Sequence, residues 1–415
     1  MDLIIGGGIT GLSYATFCGH KDYIIIEKES KVGGYCKTTC RNGFVWDYSG
    51  HFFHFIDEEI KRYATASINK DDLINIVKAT YIKYKERMID YPFQKNIHQL
   101  SKEELIDCLY DLFTTNEQTY NNFKEMLYVK FGKGIAEKFL IPYNSKLYAC
   151  DLNTLDKDAM GRFFPYAEKE DIIKNFKSKE NLSYNATFAY PKSGAIAYVN
   201  SMLAYIDKSK IRTNCEIRSI DMEHRQAITN SGEQFHYDRL ISTIPFPLLL
   251  KKTDIPYNED IYNWNQVLVF NLGFNIKGKD IHSHWIYFPE SQYCFYRVGF
   301  YSNILPNEKM SLYVEIGFKK DDVIHPEEWI GIVLNDLKKA GIVNDEQKLI
   351  DYESIIMNPA YVHINSNSIT DVCVKKKQLN NNGIYSIGRY GSWTYCSIED
   401  NIREAKALAE QLNRK

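Results

Sequence analysis

The opening residues constrain this chain more than any other stretch. Leu3-Ile4-Ile5 runs directly into Gly6-Gly7-Gly8-Ile9-Thr10-Gly11, and a second apolar run, Tyr23-Ile24-Ile25-Ile26, ends on Glu27. The pattern predicts a buried strand, a tight turn, a short helix over 12–18 stopped by Gly19, and a second strand. Gly6 permits the turn, Gly8 lets backbone approach a pyrophosphate, and Gly11 lets the helix pack close to the strand. The helix N-terminus, from Thr10 onward, offers unpaired N–H groups and the positive end of a dipole. Glu27, 21 residues after Gly6, is placed to accept hydrogen bonds from a ribose diol. A parallel α/β domain that cradles a dinucleotide is the expected fold.

The length of 415 residues leaves room for two or three domains at roughly 100–200 residues each. A net charge of -2 gives no global field toward nucleic acid or anionic lipid. The nine cysteines include no CxxC, and Cys36 and Cys40 lack a second pair or nearby histidines. Free thiols in a reducing compartment, and no metal, are expected. The start lacks the features of a signal peptide, and no apolar run approaches the ~18 residues of a membrane span. A cytoplasmic protein without membrane partners is therefore expected. The 31 tyrosines suit stacking on sugars and bases, and codon drift gives the same excess.

Gly33-Gly34 follow Glu27-Lys28, and Asp47-Tyr48-Ser49-Gly50-His51 comes soon after. This EKxxxxGG arrangement resembles flavoproteins of the amine-oxidase kind, so FAD is the expected cofactor. Near the other end, 383–389 reads as a strand entering a turn at Gly388-Arg389, and 397–412 as an amphipathic helix. The resemblance directs that helix N-terminus at the flavin. The fold class expected is α/β, a two-dinucleotide-binding, glutathione-reductase-like domain with a helical insert and an antiparallel sheet domain. Its expected boundaries are 1–90 with 185–250 and 375–415 for cofactor, 91–184 for helices and 251–374 for sheet.

Ser101 and Glu104 form a capping box ahead of a helix over 102–113. Further helices are expected over 117–131, ending at Gly132, from Gly134 to before Pro142, and over 156–163. The polar stretch 167–184 reads as a surface loop or as a lid over a substrate site. A helix over 195–206 follows, then strands at 211–219 and 225–231 and the extended segment 240–247. Alternating residues over 265–365 predict an antiparallel sheet with one helix, 326–340. The run Lys375-Lys376-Lys377 reads as a solvated loop or strand edge.

Local strings spanning nearly the whole chain resemble the UDP-galactopyranose mutase family, in its eukaryotic-type branch. They are Ser49-Gly50-His51, YPFQKNI at 91–97, GKGIAEKFLIPYNSKLYA at 132–149, YNATFAYP at 184–191, HWIYFPESQYCFYRVGFYSN at 284–303 and GRYGSWTY at 388–395. The resemblance implies a flavin-dependent, non-redox interconversion of UDP-galactopyranose and UDP-galactofuranose, as in cell-surface polysaccharide synthesis. It implies an adduct between reduced-flavin N5 and the sugar, FAD active in its reduced form, and an external reductant. His51 would pack at the flavin, Arg297 would grip the diphosphate, and Arg389 would lie near flavin and substrate. Tyr91, Gln94 and Asn144 would contact uridine, Asn185 and Arg162 the diphosphate or sugar, and Trp285, Tyr287 and Tyr395 would line the cleft.

Taken without the resemblance, each has a plainer role. His51 and Tyr91 suit a core, Arg162 a solvated helix face, Arg297 an aromatic stack, and Trp285 ordinary strand packing. Ser49 stands where the family has a second glycine, Tyr148 where tryptophan is common, and Lys192-Ser193-Gly194 where the turn is richer in glycine. These departures bear on the sugar, so a mutase for UDP-N-acetylgalactosamine or a UDP-pentose is a variant. An FAD-dependent amine or porphyrin-type oxidase and a non-catalytic UDP-sugar sensor are the competing classes. Oligomeric state is not readable.

Overall fold

The computed structural model describes residues 1–20, 22–115, 118–177 and 186–414. Five parallel strands form one sheet, in the order Ile384–Ser386, Arg239–Ser242, Asp2–Ile5, Tyr23–Ile26 and Ile211–Arg212. Leu3, Ile4, Ile25, Leu240 and Ile241 are wholly buried, as parallel strands covered on both faces require. The helix Ile9–Phe17 packs on the final helix, Ile398–Asn413. Ser397 starts that final helix through a reciprocal cap with Asp400. The two ends of the chain therefore close one domain.

Asp47 knits this domain together. Its buried carboxylate accepts from the Thr38 hydroxyl at 2.5 Å, the Tyr190 hydroxyl at 2.7 Å and the Ala195 N–H at 3.0 Å. Burial still pushes its pKa up to about 6, because desolvation of the carboxylate outweighs the three donors.

The second sheet follows the order Leu349–Met357, Asn263–Phe274, Ser311–Lys319, Arg297–Phe300, Trp285–Tyr287, Thr80–Tyr84 and Arg87–Asp90. It is not purely antiparallel, since Trp285–Tyr287 pairs in parallel with Thr80–Tyr84. Two strands from before residue 91 thus belong to this sheet. The helix Pro326–Lys339 lies where expected. A second helix, Ser366–Asn381, was not expected, and it carries the Lys375–Lys377 run. The expected boundary at 374/375 falls inside it. Its signal, an Asn365/Ser368 capping box, is present in the sequence.

Among the helices, Lys102–Thr114 carries the expected capping box. The next, Phe123–Ile135, does not end at Gly132 but kinks there, with φ of 71°. A Cβ on Gly132 would lie 2.6 Å from the Asp111 carbonyl carbon, so glycine serves a close helix crossing. Pro142 does not stop the path either. A π turn, Ala136–Leu140, leads into Ile141–Tyr148, where Pro142 occupies the first turn, a position that needs no N–H donor. Of the helix expected over 156–163, only the 3₁₀ turn Gly161–Phe163 forms.

Candidate functional site

A cavity of about 1030 Å³ runs along the carboxyl ends of the parallel strands, where open α/β sheets bind ligands. Gly6, Gly8, Thr10, Glu27, Gly33, Gly34, Gly50, His51, Arg297, Arg389 and Tyr395 all line it. A Cβ on Gly8 would meet the Gly34 Cα at 3.8 Å, so the two glycine elements face each other across a narrow backbone cradle. The Glu27 carboxylate accepts from Gly7 N–H at 2.8 Å and Glu29 N–H at 2.9 Å, and a carboxylate has lone pairs left for a ribose. These residues suit a dinucleotide.

Two of the expected cofactor residues act from behind the wall. A Cβ on Gly11 would lie 2.0 Å from the Gly6 carbonyl oxygen, and one on Gly388, whose φ is +84°, 2.6 Å from Thr10 Oγ1. Neither lines the cavity. They let the helix and the last strand turn close in, while Asn401 Oδ1 accepts from Thr10 Oγ1 at 2.9 Å and Arg389 N–H at 2.8 Å.

Two half-buried guanidinium groups of different character stand in the cavity wall. Arg297 donates to Glu315 twice, Nε at 2.6 Å and Nη2 at 2.7 Å, and Glu315 also accepts from the Ser49 hydroxyl. Arg389 sits over the rings of Tyr395 at 4.5 Å, Tyr361 at 5.2 Å and Tyr390 at 6.0 Å. Its guanidinium makes long hydrogen bonds to carbonyls, Nη1 to Cys396 O at 3.3 Å and Nη2 to Ala360 O at 3.5 Å, and among the described residues its buried Nε has no partner. Among the described residues no carboxylate pairs with it. A buried cation without a counter-ion is costly, and one lining a cavity suits an anion.

His51 lies between these groups. Burial holds its pKa down at about 4, below the ordinary 6.5. Its Nδ1–H faces the Ser49 carbonyl at 3.3 Å, so the neutral ring keeps Nε2 as an acceptor.

Apart from Arg162 and Asn185, the remaining expected residues divide into two sets. Tyr91, Tyr287 and Trp285 form one contiguous group: the Tyr91 and Tyr287 rings lie 5.2 Å apart, and Trp285 Nε1 donates to the Tyr287 hydroxyl at 3.0 Å. Trp285 also stacks on Phe52 at 5.3 Å, so it packs as core on one face. Gln94, Asn144 and Tyr148 are buried on the helical side, and Gln94 Oε1, Asn144 Oδ1 and the Tyr148 hydroxyl lack partners. Orphaned polar atoms of this kind call for a ligand or water. Arg162 is turned to Asp400, donating at 2.6 and 2.7 Å, with its guanidinium over Phe163. Asn185 and residues 178–184 lie outside the described residues, whereas the first part of the expected loop forms a helix, Lys169–Asn175, whose buried Asn175 donates to Lys95 O at 2.7 Å.

Sequence reasoning missed Glu315, Tyr361 and Tyr143. Glu315 had a signal, a lone acid in the apolar run Ser311–Ile316, since a buried charge needs a partner. Tyr361 stacks on Tyr395 at 5.9 Å, and Tyr143 meets Tyr287 edge-on at 4.9 Å. No cluster of His, Cys, Asp or Glu among the described residues is arranged to hold a metal ion. No helix among them is long and apolar enough to cross a membrane.

Comparison with known proteins bears on the same regions. The family of NAD(P)-binding Rossmann-like domains matches residues 4–66. Reduced UDP-galactopyranose mutase superposes with a TM-score of 0.93, covering 100% of this chain and 93% of that one at 24% identity. A protein provisionally assigned as a protoporphyrinogen oxidase of Exiguobacterium sp. gives 0.77 at 15% identity, covering 100% and 98%. Putrescine oxidase with bound putrescine gives 0.67 at 12%, covering 100% and 99%. The chain therefore has the fold of UDP-galactopyranose mutase, with a Rossmann-like dinucleotide-binding domain at its N-terminal end.

Proposed function

We propose that this chain is an FAD-dependent isomerase that interconverts UDP-galactopyranose and UDP-galactofuranose. The observation that carries this is the cavity wall, where Arg389 lies half-buried without a carboxylate among the described residues and Arg297 lines the same space. A diphosphate is the anion such a pair suits. An amine substrate would be repelled there. The likeness to the mutase over the whole chain, at a TM-score of 0.93 against 0.77 and 0.67 for the two oxidase structures, supports the same choice.

Gly6, Gly8, Gly33, Gly34 and Glu27 would hold the FAD adenosine and pyrophosphate, and Gly50, His51 and the start of the final helix its ring. Bound and reduced, the flavin would supply the nucleophile for the anomeric carbon. The chain's own residues do the rest. Arg297 and Arg389 bind and stabilise the departing diphosphate, and Glu315 fixes the Arg297 fork. Tyr361 and Tyr395, which line the cavity, form an apolar wall with hydroxyl tips, excluding water and orienting the sugar. Neutral His51 accepts a hydrogen bond at Nε2 beside the ring.

In this proposal the helices between Lys102 and Tyr148 take the uridine end, the second sheet, with strands Thr80–Tyr84 and Arg87–Asp90, the diphosphate, and the parallel-sheet domain the flavin. The free thiols of all nine cysteines fit a reducing, cytoplasmic setting. An external donor would reduce the flavin.

The test is to reduce the purified flavoprotein with dithionite under nitrogen and supply UDP-galactofuranose. Formation of UDP-galactopyranose by the reduced enzyme only is the expected result. UDP binding without conversion points to another UDP-sugar. Neither binding nor conversion overturns the mutase and favours an oxidase.

A further inference from the structure

Lys146 lies on the helix Ile141–Tyr148, half-buried and turned away from the cavity. Its ammonium donates to four backbone carbonyls: Phe288 at 2.8 Å, Glu290 at 3.0 Å, Tyr293 at 2.9 Å and Phe295 at 2.5 Å. An ammonium has three N–H donors, so four acceptors exceed what one lysine needs. All four belong to the turn that joins the strands Trp285–Tyr287 and Arg297–Phe300. The turn curls around the cation as a carbonyl cage.

The same helical turn is seated on the sheet by its next carbonyls. Leu147 O accepts from Asn265 Nδ2 at 2.5 Å, and Tyr148 O from His363 Nε2 at 2.9 Å. The Lys146 carbonyl comes so near Gly317 that a Cβ there would lie 2.3 Å away. One end of the caged turn carries Tyr287 and the other Arg297. The helix carries Tyr143 and Asn144 at its start and Tyr148 at its end. Charge is needed here because carbonyl oxygens converging on one point repel each other, and only a cation holds them together.

We propose that Lys146 is a positioning residue of the nucleotide-sugar site. Its ammonium fixes the 288–295 turn against the helix and so sets the spacing between Arg297 and Tyr287 on one side and Asn144 and Tyr148 on the other. The proposal rests on the UDP-sugar reading for its effect on affinity, while the clamp itself does not. The empty cage of a truncated lysine is moreover a site for a small free ammonium ion.

Three variants test this in the FAD-loaded enzyme: Lys146→Met, Lys146→Arg and Lys146→Ala. Amide hydrogen exchange over 288–297 reads the clamp, and UDP titration reads its consequence. In Lys146→Met, faster exchange confined to 288–297 and about tenfold weaker UDP binding are expected, with flavin content unchanged. Methylammonium is expected to restore UDP affinity to Lys146→Ala but not to Lys146→Met, whose side chain fills the cage. Lys146→Arg retains the charge and is expected to fall between. Wild-type exchange in folded Lys146→Met, or loosening spread evenly over the whole chain, overturns the positioning role. Should the wild-type enzyme itself bind no UDP, the UDP-sugar reading fails, and the exchange data alone support or overturn the clamp.

Discussion

A carboxylate with 1 % of its surface exposed is stable in a sheet only if its charge is met, and Glu315 meets Arg297 twice and Ser49 once. Removing one partner of such a pair typically costs 3–5 kcal/mol, about 3 here because a bound anion can replace the lost charge. Glu315→Gln should therefore lower the melting temperature, and UDP should raise it more in the variant than in the wild type. Equal shifts by UDP in thermal melts would remove Arg297 from the phosphate site. Histidine 284 gives a second prediction. Its Nδ1 accepts from Ala79 N–H at 2.9 Å, and burial holds its pKa at about 4. The unfolded ring protonates first, near 6.5, so this contribution is whole above that pH and is lost as pH falls toward 4. The loss amounts to roughly 3 kcal/mol. Asp47, raised to about 6, works in the opposite direction. His284→Gln should flatten the fall of Tm between pH 6.5 and 4, and an unchanged slope would contradict the neutral ring. At this scale Arg297 was legible because its flanking string is distinctive. Glu315 was marked as a lone acid in an apolar run, but its pairing with Arg297 was not legible, since it depends on a strand register that no local pattern reveals.

Elements were legible where their ends carry chemistry. Ser101 caps the helix it was expected to cap, because a hydroxyl and an acid three residues on are a local signal, and Ser397 with Asp400 carries the same signal unread. Gly132 and Pro142 misled because both usually end helices, and here a neighbouring helix and a π turn absorb them. Gly11 allows a sharp test of the cradle. With a Cβ only 2.0 Å from the Gly6 carbonyl oxygen, Gly11→Ala must push the helix Ile9–Phe17 off the strand. The variant is expected to purify without flavin and to melt lower, checked by its absorbance and by calorimetry. Retention of flavin would mean that the close packing is not what shapes the cradle. Ser397→Ala should cost about 1 kcal/mol through the lost cap. It should weaken flavin binding as well, because Ser397 and Ile398 line the cavity.

The cavity is bounded by two bodies that sequence order does not keep apart. Gly6 and Glu27 follow strands of the parallel sheet, and Arg297, Glu315 and Met357 lie in strands of the other. Strands Thr80–Tyr84 and Arg87–Asp90 cross from the first region of the chain into the second sheet. That crossing was illegible because a parallel pairing between residues 80–82 and 285–287 leaves no local trace. The two bodies share little continuous sheet, so a ligand that touches both walls must add to what holds them together. A cofactor that binds only the folded state stabilises it by RT ln(1 + [L]/Kd), about 2.7 kcal/mol at a hundredfold excess over Kd. Stripping the flavin should then lower Tm and speed amide exchange on both walls at once, over 5–11 and over 311–316, and adding FAD should reverse both. Loosening of the 5–11 wall alone would place the whole cofactor on the parallel sheet and separate it from Arg297. In that case His51 and Arg389, not the second sheet, would form the far boundary of the cofactor site.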